Sequence, residues 1–474
     1  MSKETSTPAQ HGFSWWVAAV FIIGETAGSG LVAMPNAVKN TGFIGGPILL
    51  CVLAVVSART AKQLGDNWLI MQKRWPKYLK TCRSPYAEMA QRAIGGKASL
   101  LAHAMIQITL FGGASVFSLL AARNISDLLH LFGASLHFCL CLFAVSLFLW
   151  PFMMLRSPMH FWQVSIGAAL STTVAVILIL VGTSIDVPTC FQAASYAEVT
   201  PRQFTLGFGT IVFAYGGHPV FPTIQHDMRQ PRHFSKAVML SYIVLFLLYS
   251  PVAIGGYAVY GTSLTDSIVS SIQTPSLRLL ISVLIMLHVL FSILIIINPL
   301  HQAVEEHVGV KHEFGIGRFV VRTVVLFSTT LAASLLPNFG VFLDLVGSSS
   351  MTLLALVFPG LFSLYLEAGC KKATNTEKGI DSDDCAQVPT LKEVLISTKK
   401  SRLLLEITII SGGLIFGVIA TINALTDATH SPLASPCFVQ LFSASAPSVS
   451  SLSRFYCCGP FRNVTSNHWT TCIA

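Results

Sequence analysis

Phe213-Ala214-Tyr215-Gly216-Gly217-His218-Pro219-Val220-Phe221-Pro222 interrupts a stretch, 203 to 226, that contains no Asp, Glu, Lys or Arg. About 20 apolar residues suffice for a helix to cross a hydrocarbon core of about 30 Å. Paired glycines and two prolines weaken such a helix. Unwound backbone is tolerated in hydrocarbon only where it is buried in protein or lines a cavity, so the interruption marks a site. Gly24-Glu25-Thr26-Ala27-Gly28-Ser29-Gly30, followed by Pro35, is a second interruption of the same kind.

The rest of the chain is consistent with a membrane protein. Of 474 residues, 53% are apolar and 11% charged, with a mean hydropathy of +0.66. Soluble domains carry about 25% charged residues, so a soluble enzyme is excluded as the default. Runs free of acidic and basic side chains, the first two joined across Glu25, mark the cores of eleven spans, estimated at 13–39, 43–66, 99–123, 134–155, 160–183, 203–226, 236–260, 277–300, 317–336, 340–366 and 403–425. The two interrupted spans are the first and the sixth, which cross in opposite directions. That is the hydropathy pattern of an inverted repeat, spans 1 to 5 and 6 to 10, with a ligand held near the midplane by broken helices. The predicted fold is an all-α integral membrane protein of eleven transmembrane helices, a 5+5 inverted repeat plus one extra helix. Residues 1–12 form a short N-terminal segment, 13–425 the membrane domain and 426–474 a tail.

The net charge of +9 is explained by topology and not by a nucleic-acid partner. With the N-terminus cytoplasmic, 24 of the 30 basic residues fall inside, leaving Lys39, Arg123, Arg202, Arg278, Arg454 and Arg462 outside. The positive-inside rule favours this orientation, and an odd number of spans puts the C-terminus outside. Asn463-Val464-Thr465 in the tail and Asn124-Ile125-Ser126 in an expected outer loop are glycosylation triplets. Residues 1 to 12 lack an apolar region and run directly into span 1, as in a signal anchor. Of 11 cysteines, Cys51, Cys139 and Cys141 fall in spans and Cys82, Cys370 and Cys385 inside, while Cys190, Cys437, Cys457, Cys458 and Cys472 fall outside and are free to form disulfides. The inner loop 67–98 is basic, with Trp68, Trp75 and Tyr78, a composition suited to the lipid bilayer interface. The inner loop 367–402 is polar and expected to be flexible.

The run from Phe213 through Tyr215, Gly216, His218, Phe221, Pro222, Ile224-Gln225, Asp227-Met228, Pro231 and Phe234 resembles the signature of the amino acid/auxin permease family, which includes proton- and sodium-coupled amino acid transporters. Gly28-Ser29-Gly30-Leu31 with Met34-Pro35 resembles that family's helix 1, Tyr86 and Glu88 with Gly95 the motif before helix 3, and Gly347 through Pro359 helix 10. His288-Val289 with Ser292 and Pro299 resembles the plant members. The resemblance covers about residues 13 to 425 and implies the leucine-transporter fold, which the repeat argument reaches independently. Gly24-Glu25 stands where many members carry no acid.

An amino acid zwitterion needs a partner for each of its charges. Ala27, Gly28, Ser29 and Gly30, at the start of the second half of span 1, offer backbone N–H groups and the positive end of a helix dipole to a carboxylate. Carbonyls released at Tyr215, Gly216 and Gly217 accept from an ammonium. Glu25 is the only charged residue expected deep within a span, and such residues are functional by default. It either carries a coupled proton or stays ionised and attracts Na+ or an amine. His103, Gln107, Phe111 and Ser115 share one face of span 3, and Gln107 is expected to line the pathway. His218 is a candidate for gating or proton relay, Asp344 an interfacial residue. By the resemblance, Ser292 lies where sodium-coupled members place a hydroxyl ligand. No catalytic residue, resident metal or cofactor is expected beyond the coupling ion, H+ or Na+, because His-Glu-x-x-His, Cys-x-x-Cys, phosphate-loop and Gly-x-Ser-x-Gly patterns are missing. The expected function is proton-coupled symport of small neutral amino acids in the plasma or an endolysosomal membrane. Sodium-coupled symport, or an amino acid sensor without flux, are the alternatives.

Overall fold

The computed structural model describes residues 12–80, 82–134, 136–154, 161–310, 315–375, 388–430, 436–442, 455–458, 461 and 464–466. Its first span is two helices, α1 (Trp15–Thr26) and α2 (Ser29–Thr41), bent by 59° at the break. Then follow α3 (Gly45–Arg74), α4 (Pro85–Ala93), α5 (Gly96–Leu131), α6 (Phe138–Met153) and α7 (Phe161–Cys190). The sixth span is again two pieces, α8 (Pro201–Ala214) and α9 (Phe221–His226). After it come α10 (Phe234–Tyr260), α11 (Pro275–His307), α12 (Ile316–Leu335), α13 (Phe339–Val346) and α14 (Phe358–Asn375), with π-helical turns over Gly347–Met351 and Leu353–Val357 joining the last two. A short α15 (Leu391–Ser397), the long α16 (Lys400–His430), a one-turn α17 (Cys437–Phe442) and a hairpin of β1 (Phe455–Cys458) and β2 (Val464–Ser466) complete the chain.

Local sequence explains the interruptions. Thr200 accepts from the Gln203 N–H, and the Gln203 side chain accepts from the Thr200 N–H; with Pro201 in the first turn this box starts α8. The helix stops at Ala214 because two glycines follow and Pro219 lacks an N–H to continue it. At 1.5 Å per residue its 14 residues span about 21 Å, so the sixth span needs α9 to complete the crossing. Eight helices among the described residues are long and apolar enough to cross a membrane, nine with the bent pair α1 and α2. That count falls short of the expected eleven because α6 has 16 residues and the sixth span is divided.

In the core, α2 lies against α8, α1 against α10 and α7, and α11 against α5 and α7. The broken helices therefore meet at the centre of the bundle. Ion pairs with buried acids hold the periphery: Glu406 of α16 accepts from the half-buried Arg59 at 2.5 Å and Gln63 at 2.7 Å on α3, and Arg322 of α12 meets Glu305 of α11 at 2.7 Å. Glu25 is thus not the only charge within the helical body, a correction that follows from pairing, since each of these acids is matched by an arginine from another helix.

Several expectations need correcting. Trp68, Trp75 and Tyr78 do not face the bilayer: all three are buried, with Arg74 and Arg92 over the Trp75 ring and the Tyr78 hydroxyl donating to Glu88 at 2.6 Å. The second inner loop contains α15, started by a Thr390–Glu393 capping box. Asn124, expected in an outer loop, lies inside α5 and is 1% exposed, leaving no room for a glycan, because α5 runs on to Leu131. Asn463, Cys385 and Cys472 lie outside the described residues. Cys139, expected within a span, is at the first turn of α6 and pairs with Cys437, while Cys190 pairs with Cys458. Asp344 is not interfacial but buried, and Thr210 of α8 donates to its carboxylate.

Candidate functional site

The breaks of the first and sixth spans are in contact. A Cβ on Gly30 of α2 would overlap Ala214 at the end of α8, and one on Gly217 would stand 2.9 Å from the Thr26 hydroxyl. Glycine is required at both for the backbones to approach this closely. Where α1 ends, the Ala27 N–H returns to the Ile23 carbonyl at 2.7 Å, and α2 restarts at Ser29. The first turn of a helix leaves its N–H groups without intrahelical acceptors, here those of Ser29 and Gly30.

A cavity opens at this level, walled by Glu25, Thr26, Gly28, Ser29 and Gly30 from the first span and Phe213, Gly216, Gly217, Pro219 and Val220 from the sixth. Thr109, Leu110, Gly113 and Phe117 of α5, Ile296 of α11 and Met351 of the π-helical turn close it. About 50 Å³ is open to water-sized molecules, on the order of four waters. The hydroxyls of Thr26 and Ser29 are buried without a hydrogen-bond partner, and such groups in a native interior call for a ligand or water.

A wider vestibule of about 400 Å³ adjoins it, sharing Glu25, Leu110, Pro219, Val220 and Ile296. His103, Gln107, Asn298 and Gln302 line its walls, and Arg83, Asp227 and Glu306 stand at its mouth. Arg83 and Glu306 pair at 3.2 Å. The mouth lies at the end of the bundle holding the loops on either side of α4, the basic face. Toward the opposite face Phe117 comes next along α5, then ion pairs Arg123–Asp266 at 3.7 Å and Arg278–Asp127 at 3.5 Å, with Ser270 donating to Asp127 at 2.7 Å. The vestibule thus leads toward the basic face, and these ion pairs lie between the cavity and the opposite one.

Most of the expected site residues gather here. Gly28, Ser29, Gly30, Gly216, Gly217 and Glu25 line the central cavity, and Glu25 and Gln107 the vestibule, where the Gln107 side-chain oxygen is buried without a partner. Glu25 makes no ion pair among the described residues.

Others are placed elsewhere. Ala27 is buried beside the break and does not line the cavity. Tyr215 is turned away, its ring against Tyr242 and Tyr249 and its carbonyl accepting from the Tyr242 hydroxyl at 2.8 Å. Of the face on α5, Phe111 lines neither cavity, and Ser115 binds the Thr329 carbonyl on α12 at 3.1 Å. His218 lines neither cavity: its Nε2 lies 3.0 Å from the Thr60 hydroxyl and 3.2 Å from the Ser57 carbonyl, an anchor between the break and α3. Ser292 lies 3.2 Å from Nε2 of His288, whose Nδ1 meets the Thr172 hydroxyl at 2.7 Å. This chain runs behind Gly28, where a Cβ would come within 3.1 Å of His288.

Two residues were missed. Tyr249 and Tyr242, seven apart on one face of α10, supply the donors that the breaks lack. The Tyr249 hydroxyl stands 2.9 Å from the Thr26 carbonyl and 3.0 Å from that of Ala214, one proton shared between the ends of α1 and α8. Stripping buried carbonyls of their donor costs about 1–3 kcal/mol, so Tyr249→Phe is expected to lower the melting temperature of the purified protein. An unchanged melting curve would remove the bridge from this account. From sequence alone, a tyrosine in an apolar helix carries no sign of a partner more than 200 residues away.

An all-helical body with two interrupted spans meeting over a cavity defines a membrane transporter of the inverted-repeat class. Solved structures of that class share the fold. Mhp1, a nucleobase-cation-symport-1 family transporter in a closed conformation with bromovinylhydantoin bound, superposes with a TM-score of 0.54 at 11% identity, over 91% of this chain and 96% of its own. MhsT in complex with L-phenylalanine gives 0.52 at 10%, over 88% and 100%. A family profile described as "Transmembrane amino acid transporter protein" matches residues 11–378, and the chain belongs to that family. Its curated relatives include three from Arabidopsis thaliana. Amino acid transporter AVT1D is 24% identical over 74% of this chain, Lysine histidine transporter-like 1 is 25% identical over 69%, and Amino acid transporter AVT3A is 25% identical over 73%. The chain spans 63% of the length of AVT1D, 74% of the second and 80% of AVT3A.

Proposed function

We propose that the protein carries small neutral amino acids across a membrane by alternating access, coupled to protons, with its basic face toward the cytosol. The observation that carries this reading is Glu25, a carboxyl one residue before the end of α1 that lines both the central cavity and the vestibule and has no ion-pair partner among the described residues. The free N–H groups of Ser29 and Gly30 and the unpartnered hydroxyls of Thr26 and Ser29 suit a substrate carboxylate. Glu25 is the one charged side chain in the central cavity wall, and the remainder, with Phe117, Phe213 and Met351, suits a short uncharged side chain.

The test is uptake of a panel of labelled amino acids by cells expressing the protein, at acidic and neutral outside pH, with and without sodium. Saturable uptake of alanine-sized substrates that rises at acidic pH without sodium is expected. Sodium-dependent uptake would replace the proton by Na+. Surface-expressed protein that binds amino acids without flux at either pH would make it a sensor.

A further inference from the structure

Away from the transport path, α3 and α10 part along their outer side and leave a groove of about 550 Å³. Its walls are apolar, Cys51 and Val55 on α3 and Met239, Ile243, Phe246 and Leu247 on α10. One end differs. There Arg59 and Lys62 of α3 face Ser235 in the first turn of α10, with exposed Arg232 and Lys236 beside it. Three acids belong to the same end: Glu406 already pairs with Arg59, Glu367 pairs with Arg402, and Asp66 is one turn from Lys62. The cations still outnumber them, and Lys62 is exposed with no ion pair among the described residues.

From Ser235 to Leu247 the groove runs about 18 Å along α10 at 1.5 Å per residue. That is close to one leaflet of a hydrocarbon core of about 30 Å. The charged end lies at headgroup depth, where basic side chains attract anionic lipid. We propose that this groove binds an anionic phospholipid from the leaflet of the basic face. Its phosphate is held by Lys62, Arg59 and the N-terminal turn of α10, and one acyl chain lies against Val55, Met239, Ile243 and Leu247. Tyr242 lines the same groove and donates to the Tyr215 carbonyl, so the lipid lies one side chain from the break of the sixth span.

The experiment reconstitutes the full chain in nanodiscs of phosphatidylcholine alone, or of phosphatidylcholine with phosphatidylserine, and counts lipids retained per protein by native mass spectrometry. The wild type is expected to retain phosphatidylserine in preference. Lys62→Gln, a surface change, should lower that retention about fivefold, the loss of one cation's attraction. Met239→Trp, which fills the groove, should lower it too. Lys97→Gln, an exposed cation on the same face at the start of α5, should leave it unchanged. Equal retention of both lipids by the wild type, or an equal loss in Lys97→Gln, overturns the proposal in favour of ordinary annular lipid or diffuse charge. So does a dimer that Met239→Trp dissociates.

Discussion

Replacing Glu25 by Gln is expected to abolish the dependence of amino acid uptake on outside pH while leaving substrate-for-substrate exchange in place. The side chain sits where the two cavities join, and glutamine keeps its size and most of its hydrogen bonding but neither gains nor loses a proton. In a symporter that moves one proton with each substrate, each unit of pH difference contributes about 1.4 kcal/mol, or about tenfold in the accumulation ratio. Uptake by the wild type should therefore rise as the outside becomes acidic, and that rise should vanish in Glu25→Gln. Exchange should persist, because the backbone groups of Ser29, Gly30 and Gly216 that line the cavity are untouched. A variant with the wild-type pH response ends the proton role of Glu25. One that loses exchange as well makes the carboxyl a substrate contact instead.

Gly30→Ala is expected to be strongly damaging. Its new Cβ would overlap both the Cβ and the Cα of Ala214, where α2 crosses α8. Relief requires moving one broken helix against the other, and overpacking of this kind costs about 1–3 kcal/mol, more for Gly30→Leu. The purified variant should melt at lower temperature and transport poorly. Ala214→Gly in the same chain removes the atom that is struck first and should recover part of both. If Gly30→Ala melts like the wild type yet does not transport, Gly30 acts on the ligand and not on packing. If the double variant is no better than the single one, the contact is not the cause.

The fold was legible because its strongest signals are one-dimensional. Apolar runs report spans, and glycine and proline report where a span is interrupted. The lining of the central cavity was largely legible for the same reason, since Gly28, Ser29, Gly30, Gly216 and Gly217 are themselves the interruption. Asn124 and Trp68 misled because a sequon and an aromatic residue in a basic loop read the same whether they face water, lipid or a neighbouring helix. The boundary of α5, which decides the fate of Asn124, depends on helix continuing beyond the apolar run.

By itself, then, the sequence determined that this is a broken-helix membrane protein, and that two interruptions of opposite direction hold the candidate site with Glu25 beside it. Tertiary structure alone decided what closes and supports that site. Phe117, Phe213 and Met351 wall the cavity, Tyr249 spans both breaks, His218 is an anchor to α3, and Glu406 is neutralised by Arg59. The physical reason is locality. Helix breaking and membrane insertion are free energies summed over neighbouring residues, whereas burial, hydrogen-bond satisfaction and ion pairing depend on partners that only the packing of distant helices brings within reach.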